Sequence, residues 1–298
     1  MEIVTDKQIN KGLQKSLSPW AIARRKFTKN KLAMISLCFL VLVMIISFLA
    51  PFITTQDITK IYISQMSLSP SAEHFLGTDK SGRDVFTRLL FGGRVSLFLG
   101  LSCTLLVIVF GTLVGAIAGY FGGIVDSMLM RFTDFVLNFP FMVFVMVINA
   151  ILFGKVSGLW VLIGVISFLS WGGTARMVRS KVLAEKENEY VLSSVSIGCT
   201  SSKVIFKHLL PNILSTIIVQ ATITFAGMIV AEAGLSYLGF GVPQEIPSWG
   251  NMLSSANEPD VLQYKPWIWV PPALIITICT LSINFIGEGL KDALNPKS

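Results

Sequence analysis

Glu189-Tyr190-Val191-Leu192-Ser193-Ser194, then Gly198, then His208-Leu209-Leu210-Pro211-Asn212 stand in a polar, charged interval, 176–212, between two long apolar runs. Lys181, Leu183, Ala184, Glu185, Lys186 and Glu187 are good helix formers, so a helix is expected over 177–194. Gly198 supplies the backbone freedom for a sharp reversal. Thr200 or Ser201 can cap a second short helix running towards His208. Pro211 is expected to end the excursion and open the next apolar run. Ser193, Ser194 and Ser196 are small enough for another backbone to approach, and Ile197, Val204, Ile205 and Phe206 offer apolar anchors. A helix, a glycine turn and a second helix held outside a bilayer make a docking surface. The plainer alternative is a solvated loop with ordinary turn residues.

The rest of the chain places that interval in a membrane. With 298 residues, mean hydropathy +0.69, 53% hydrophobic and 14% charged residues, it is too apolar for an ordinary soluble domain. A bilayer-crossing helix needs about 20 mostly apolar residues. Six runs answer to that length: 32–53, 95–120, 135–153, 157–173, 213–235 and 267–286. Pro140 should kink the third near its inner end. Gly154-Lys155-Val156 leaves room only for a tight outer turn between the third and fourth. The fold class is all-α and integral to the membrane.

Cations orient the spans, because inner flanks carry the Lys/Arg excess. Lys7, Lys11, Lys15, Arg24, Arg25, Lys26, Lys29 and Lys31 precede the first run, and Arg176, Arg179, Lys181, Lys186, Lys203 and Lys207 follow the fourth. Both termini and the 176–212 interval are therefore expected inside. The stretch 54–94 argues against this with Lys60, Lys80, Arg83, Arg88 and Arg94, although six-span parity puts it outside. The net charge of +7 gathers at span ends and forms no groove with interleaved aromatics, which speaks against nucleic acid. The first run is too long for a signal-peptide core and reads as a retained anchor. Cys38, Cys103, Cys199 and Cys279 lack the spacing of a metal or redox pair.

Catalytic chemistry is hard to assemble from these residues. His74 and His208 fall on opposite sides, so neither completes a Ser–His pair within the bilayer, and no His-Glu-x-x-His motif occurs. There is no phosphate loop, since Gly154-Lys155-Val156 lacks its glycine spacing and hydroxyl. Gly92-Gly93, Gly122-Gly123 and Gly172-Gly173 fall at span ends or turns. Two roles are open for Glu232: a cavity-lining or gating group, or a helix-end acid capped by neighbours near the outer interface. Asn149, Gln220 and Asn284 are expected to hydrogen-bond between helices. Arg131 and Asp134 should pair on one helix face. Trp249, Trp267 and Trp269 read as interfacial anchors. No internal repeat is visible, whereas a self-contained carrier usually shows two related halves, so the chain looks like one half of something. An amphipathic helix after Thr78-Asp79 would either meet a partner protein or cap the membrane surface.

The 176–212 interval resembles the cytoplasmic loop of ABC-importer permeases, with its Glu-Ala-Ala, glycine, isoleucine and Leu-Pro at fixed spacings. Those places fall here on Leu192-Ser193-Ser194, Gly198, His208 and Leu210-Pro211. The glycine, leucine and proline match; Leu192 replaces the acid, Ser193 and Ser194 keep the small size, and His208 replaces isoleucine. Glu189 is a candidate to stand in for the lost acid. Three further segments are similar to the C-type permease of the peptide/nickel branch. They are His74-Phe75-Leu76-Gly77-Thr78-Asp79-Lys80-Ser81-Gly82-Arg83-Asp84 with Gly93-Arg94-Val95-Ser96-Leu97; Glu232-Ala233-Gly234-Leu235-Ser236-Tyr237-Leu238-Gly239-Phe240-Gly241 with Pro247-Ser248-Trp249-Gly250; and Asn284-Phe285 with Gly287-Glu288-Gly289-Leu290-Lys291-Asp292.

The resemblance implies a type I importer permease fold in a bacterial inner membrane, with a basic arm at 1–31, an anchor at 32–53, an outer loop at 54–94, a core at 95–290 and a tail at 291–298. It implies oligopeptide or dipeptide cargo, with nickel, a metal chelate or glutathione as alternatives within the branch. A stand-alone carrier or channel is the alternative outside it. The implied partners are a second permease, two cytoplasmic ATPases and an extracytoplasmic binding protein. ATP and magnesium would sit on the ATPases and no cofactor on this chain. The implied ATPase-docking residues are Leu192, Ser193, Ser194, Ile197, Gly198, Ile205, His208, Leu210 and Pro211.

Overall fold

The computed structural model describes residues 19–152 and 158–294, and among these the chain is helical without a strand. Helix α1 (Pro19–Lys29) is followed by α2 (Lys31–Phe48), whose start is capped by the Asn30 side chain accepting from Ala33 N at 3.1 Å. Helix α3 (Val85–Phe121) begins at Asp84, which accepts from Thr87 N at 3.3 Å. Then come α4 (Gly123–Leu137), α5 (Phe141–Leu152), α6 (Gly158–Lys186) and the short α7 (Glu189–Ser196). A turn at Ser201–Lys203 and a π segment at Val204–Leu209 lead directly into α8 (Leu210–Tyr237). The short α9 (Trp249–Leu253) and the long α10 (Pro266–Leu294) follow, with brief helical turns at Ala50–Ile53 and Pro259–Tyr264 between the named helices.

Five helical stretches are long and apolar enough to cross a membrane, or six if the bent pair α4–α5 is one span. The six apolar runs thus each find a counterpart, but several boundaries move. The second span starts at Val85 rather than 95, so the amphipathic helix expected after Thr78-Asp79 is the first part of α3 itself. The third span is broken, with α4 and α5 bent by 77°. Pro140 has no N–H to continue the ladder and forces its predecessor out of the helical region. Asn138 closes α4, its side chain donating to Asp134 O at 2.8 Å. The fourth span continues to Lys186 and absorbs the first half of the helix expected over 177–194. The tight turn expected at 154–156 lies outside the described residues. The last helix runs on to Leu294, so the tail expected from 291 is helical as far as it is described.

Pro211 stands in the first turn of α8, as expected of the residue that opens this span. The π segment ahead of it re-pairs the backbone, with Leu210 N donating to Ile205 O, and this accommodates the donor that proline lacks. One continuous rod therefore runs from Ser201 to Tyr237.

Close helix contact holds the bundle together. Apolar side chains gain little by leaving lipid for protein, so intimate van der Waals packing must supply the association. Gly111, Gly115 and Gly119, one turn apart, form a flat stripe on α3, and α6 lies against it. A Cβ on Gly111 would come within 2.8 Å of Trp171 O, and one on Gly119 within 2.9 Å of Arg179 O. Around this seam pack Leu99, Cys103, Val107, Leu162, Ile166 and Trp171. Gly92-Gly93 and Gly172-Gly173 also lie inside helices, contrary to the turn reading. Gly93 faces Ser47 and Trp249, and Gly172 faces Leu137. Gly122-Gly123 is a turn, with φ of 65° and 53°.

The loops 54–84 and 238–265 cover one end of the bundle and consume most of the cations that contradicted the charge rule. Asp79 accepts from Ser81 N at 2.8 Å and Arg83 N at 2.9 Å, and pairs with Arg83 at 2.8 Å and Arg88 at 3.6 Å. Arg83 and Arg88 both donate to Gln244 O at 3.2 Å. Lys80 pairs with Glu258, Lys60 lies over the Tyr62 ring, and Arg94 lies near the Phe48 and Phe91 rings. The segment around His74–Asp84 is a folded knot on the start of α3, which supports the capping role for this stretch.

Candidate functional site

The elbow between α6 and α8 is built as the glycine reversal requires. Gly198 has φ of 81°, a left-handed conformation that an L side chain occupies only at a cost. Cys199 N donates to Ser194 O at 3.1 Å and Gly198 N to Val195 O at 2.9 Å. This paired arrangement closes the end of α7 as a Schellman cap. The start of α7 is tied back to α6: the Tyr190 hydroxyl donates to Glu185 Oε2 at 2.8 Å and Asn188 Nδ2 to the same oxygen at 2.7 Å. Burial pushes the Tyr190 phenol above its ordinary pKa.

The elbow has two faces. Inwardly, Val191, Val204, Ile205, Leu209 and Ile213 pack with Val178 and Val182 of α6 and Ala116 of α3. Outwardly, Leu192, Val195, Ile197 and Phe206 stand uncovered, with Ile197 81% exposed. The nine sequence candidates divide between these faces. Leu192, Ser193, Ile197, Gly198 and Pro211 are exposed, and His208 and Leu210 are half-buried. Ser194 and Ile205 turn inward, where no docked chain reaches them: the Ser194 hydroxyl is spent on Tyr190 O at 2.7 Å, and Ile205 sits in the apolar core. Of the further anchors read from the sequence, Phe206 is exposed and Val204 is buried. Val195 was missed; it lies three residues from Leu192 on one helix face, a spacing that could have found it.

Three struts join α6, which leads into the elbow, to α3 and α4. Lys186, the last residue of α6, donates to Tyr120 O at 2.6 Å and supplies a cation at the C-terminus of α3. Arg179 grips Asp126 with two hydrogen bonds of 2.5 Å. Arg176 pairs with Asp134, which corrects the expected Arg131–Asp134 pair. The two acids, two turns apart on α4, meet the cations of the neighbouring α6.

Glu232 is resolved in favour of capping. It is 1% exposed on α8, and three hydroxyls donate to its carboxylate: Ser96 at 3.0 Å, Ser236 at 2.7 Å and Ser248 at 2.8 Å. The Ser96 hydroxyl in turn accepts from Trp249 N at 3.1 Å. Ser248 also closes a capping box with Asn251 at the start of α9. The carboxylate thus joins α3, α8 and α9. Trp249 is buried in this junction, its Nε1 donating to Leu89 O at 3.0 Å, so it is a core residue and not an interfacial anchor. Trp267 and Trp269 are half-buried. Asn149 Nδ2 donates to Phe240 O at 2.6 Å, whereas Gln220 bonds within its own helix, to Thr224, and Asn284 is exposed. Glu232→Ala should lower the unfolding free energy by about 1–3 kcal/mol, because three buried hydroxyls lose their acceptor. Thermal unfolding in detergent measures it, and an unchanged midpoint would show that the junction is not structural.

The chain is a helical bundle of up to six candidate spans with an uncovered apolar elbow at one end. Residues 111–298 match the family described as the inner membrane component of binding-protein-dependent transport systems, and residues 18–70 match the N-terminal transmembrane domain of oligopeptide transport permease C. The chain belongs to this family, in its peptide-permease branch. It is 40% identical over 278 residues to the oligopeptide transport system permease protein OppC of Lactococcus lactis subsp. cremoris, covering 93% of this chain and 94% of that protein. The dipeptide transport system permease protein DppC of Alkalihalophilus pseudofirmus is 38% identical over 282 residues, covering 95% of this chain and 91% of its own. OppC of Bacillus subtilis is 38% identical over 284 residues, covering 95% and 92%.

Proposed function

We propose that this chain forms half of the translocation pathway of an ATP-driven importer for oligopeptides or dipeptides, with the elbow as the seat of a cytoplasmic ATPase. The observation that carries the reading is the two-faced elbow. Leu192, Val195, Ile197 and Phe206 are uncovered outside, while Val191, Val204 and Leu209 are locked inside against α3 and α6. An apolar patch on a polar segment marks an interaction surface. The firmly packed inner face then passes on whatever displacement the outer face receives. Closure of the ATPases on ATP pushes the elbow; α6, through Lys186 and Arg179, carries α3 and α4 with it. This is rigid-body switching between two states, and the elbow residues act mechanically. Both termini and the elbow lie in the cytoplasm, and ATP with its magnesium binds the ATPases. A second permease supplies the other half of the pathway, and an extracytoplasmic binding protein delivers the cargo.

Cross-linking tests the seat. Ile197→Cys, or the neighbouring Cys199, should join to a nucleotide-hydrolysing subunit in the intact assembly, with a yield that changes when ATP is added. Absence of any such product from an assembly that still transports peptide would remove the elbow from this role.

A further inference from the structure

At the end covered by the loops, a groove of about 290 Å³ opens between α2, α3, the start of α6 and the segment before α9. Phe48, Phe91, Phe98, Leu159 and Pro247 form its walls, and Arg94 is the one charged residue in it. The surrounding surface is equally apolar: Phe48 is 65% exposed, Phe52 86% and Trp160 58%. Such a surface suits hydrocarbon better than an aqueous path.

Arg94 is placed unlike its neighbours. Arg83, Arg88 and Lys80 hold acids, whereas Arg94 has no acidic partner among the described residues and lies 5.9 Å from the centroids of Phe48 and Phe91. Its depth can be estimated. Helix α3 has 37 residues, about 55 Å at 1.5 Å per residue, against a hydrocarbon core of about 30 Å. Sharing the excess between both ends leaves about 12 Å outside at each, and Arg94 lies about 14 Å along from Val85. Its backbone thus falls about 2 Å inside the hydrocarbon boundary, within reach of the headgroups for a side chain that snorkels outward.

We infer that this groove holds one phospholipid with a net negative headgroup. The guanidinium donates to the phosphate, and one acyl chain lies between Phe48 and Phe98. A peptide carboxylate offers Arg94 similar chemistry, but a peptide also brings backbone donors and acceptors, and the other side chains of the groove give them no partners. An apolar side chain from a second permease would fill the groove and leave Arg94 without an anion. The inference does not depend on the peptide-importer reading.

Native mass spectrometry of the purified intact assembly is the test, with phosphatidylglycerol, phosphatidylcholine, inorganic phosphate and cargo peptide added in separate arms. Phosphatidylglycerol should bind one per chain in preference to phosphatidylcholine, and phosphate or peptide should not displace it. Arg94→Gln should weaken binding about fivefold, the scale of one interfacial cation. Leu159→Trp, which fills the groove and leaves Arg94 in place, should weaken it as well. Equal binding by wild type and either variant, equal binding of the two lipids, displacement by peptide, or a Phe98→Cys cross-link to a neighbouring permease would each overturn the inference.

Discussion

Gly115→Leu is expected to lower the accumulation and thermal stability of folded protein in the membrane. A Cβ at this position would stand 2.9 Å from Val178 Cβ and 3.0 Å from Arg179 N, and the Ala175 carbonyl oxygen would be closer still. Carbonyl and amide atoms inside a helix cannot swing aside as a side-chain tip can. The whole of α6 must retreat from α3, and Gly111 and Gly119 would lose contact with it in the same movement. Overpacking a well-filled core costs about 1–3 kcal/mol and occasionally more. A leucine against backbone belongs at the upper end, in a fold whose margin is about 5–15 kcal/mol. Gly115→Ala should fail in the same way to a lesser degree. Gly173→Leu provides the control: a Cβ there meets nothing within 4 Å, and the variant should accumulate normally. Fluorescence-detected size exclusion of tagged protein measures all three. If Gly115→Leu behaves like Gly173→Leu, the α3–α6 seam does not hold the bundle.

That glycine stripe was open to reading, because Gly111, Gly115 and Gly119 recur at the spacing of one helix face. The six apolar runs were legible for a related reason: bilayer thickness converts directly into a length of apolar sequence. The helix ends were less legible. Asp84 starts α3 ten residues before the apolar run does, since a long amphipathic turn above the membrane carries polar residues such as Thr87 and Arg88 that hydropathy excludes. Pro211 was legible for another reason: a proline is tolerated in the first turn of a helix, and it stands at that place in α8, directly after the π turn at Val204–Leu209. The cations of 54–94 weigh less in the charge rule than their number suggests, because Arg83 and Arg88 are internal scaffolding around Asp79 and not free cations at a membrane face. In the elbow, residue type announced the turn at Gly198. It did not separate the inward Ser194 and Ile205 from the outward Leu192 and Val195. Which face a short helix shows is decided by the elements it lies on, here α6 and the π segment.

The same geometry makes Gly198→Trp an informative variant. Within this chain nothing lies within 4 Å of a Cβ at Gly198, so the indole would project from the elbow without meeting a neighbour. The intrinsic penalty is the left-handed backbone at φ of 81°, about 1–2 kcal/mol for an L residue. Gly198→Ala carries that penalty too, and this pairing separates the two effects. Both variants should insert and unfold near the wild-type temperature, because α7 remains anchored by Val191 in the core and by Tyr190 on Glu185. If an ATPase seats on the elbow, the indole holds it away, and losing even about 1.4 kcal/mol of seating energy lowers occupancy about tenfold. In reconstituted assembly, Gly198→Trp should therefore reduce peptide uptake by at least about tenfold. ATP hydrolysis should continue but no longer rise on addition of loaded binding protein. Gly198→Ala should keep most of both activities. Wild-type uptake by Gly198→Trp would mean that the power stroke enters the permease elsewhere, and equal failure of the alanine variant would assign the defect to backbone strain instead of to a blocked seat.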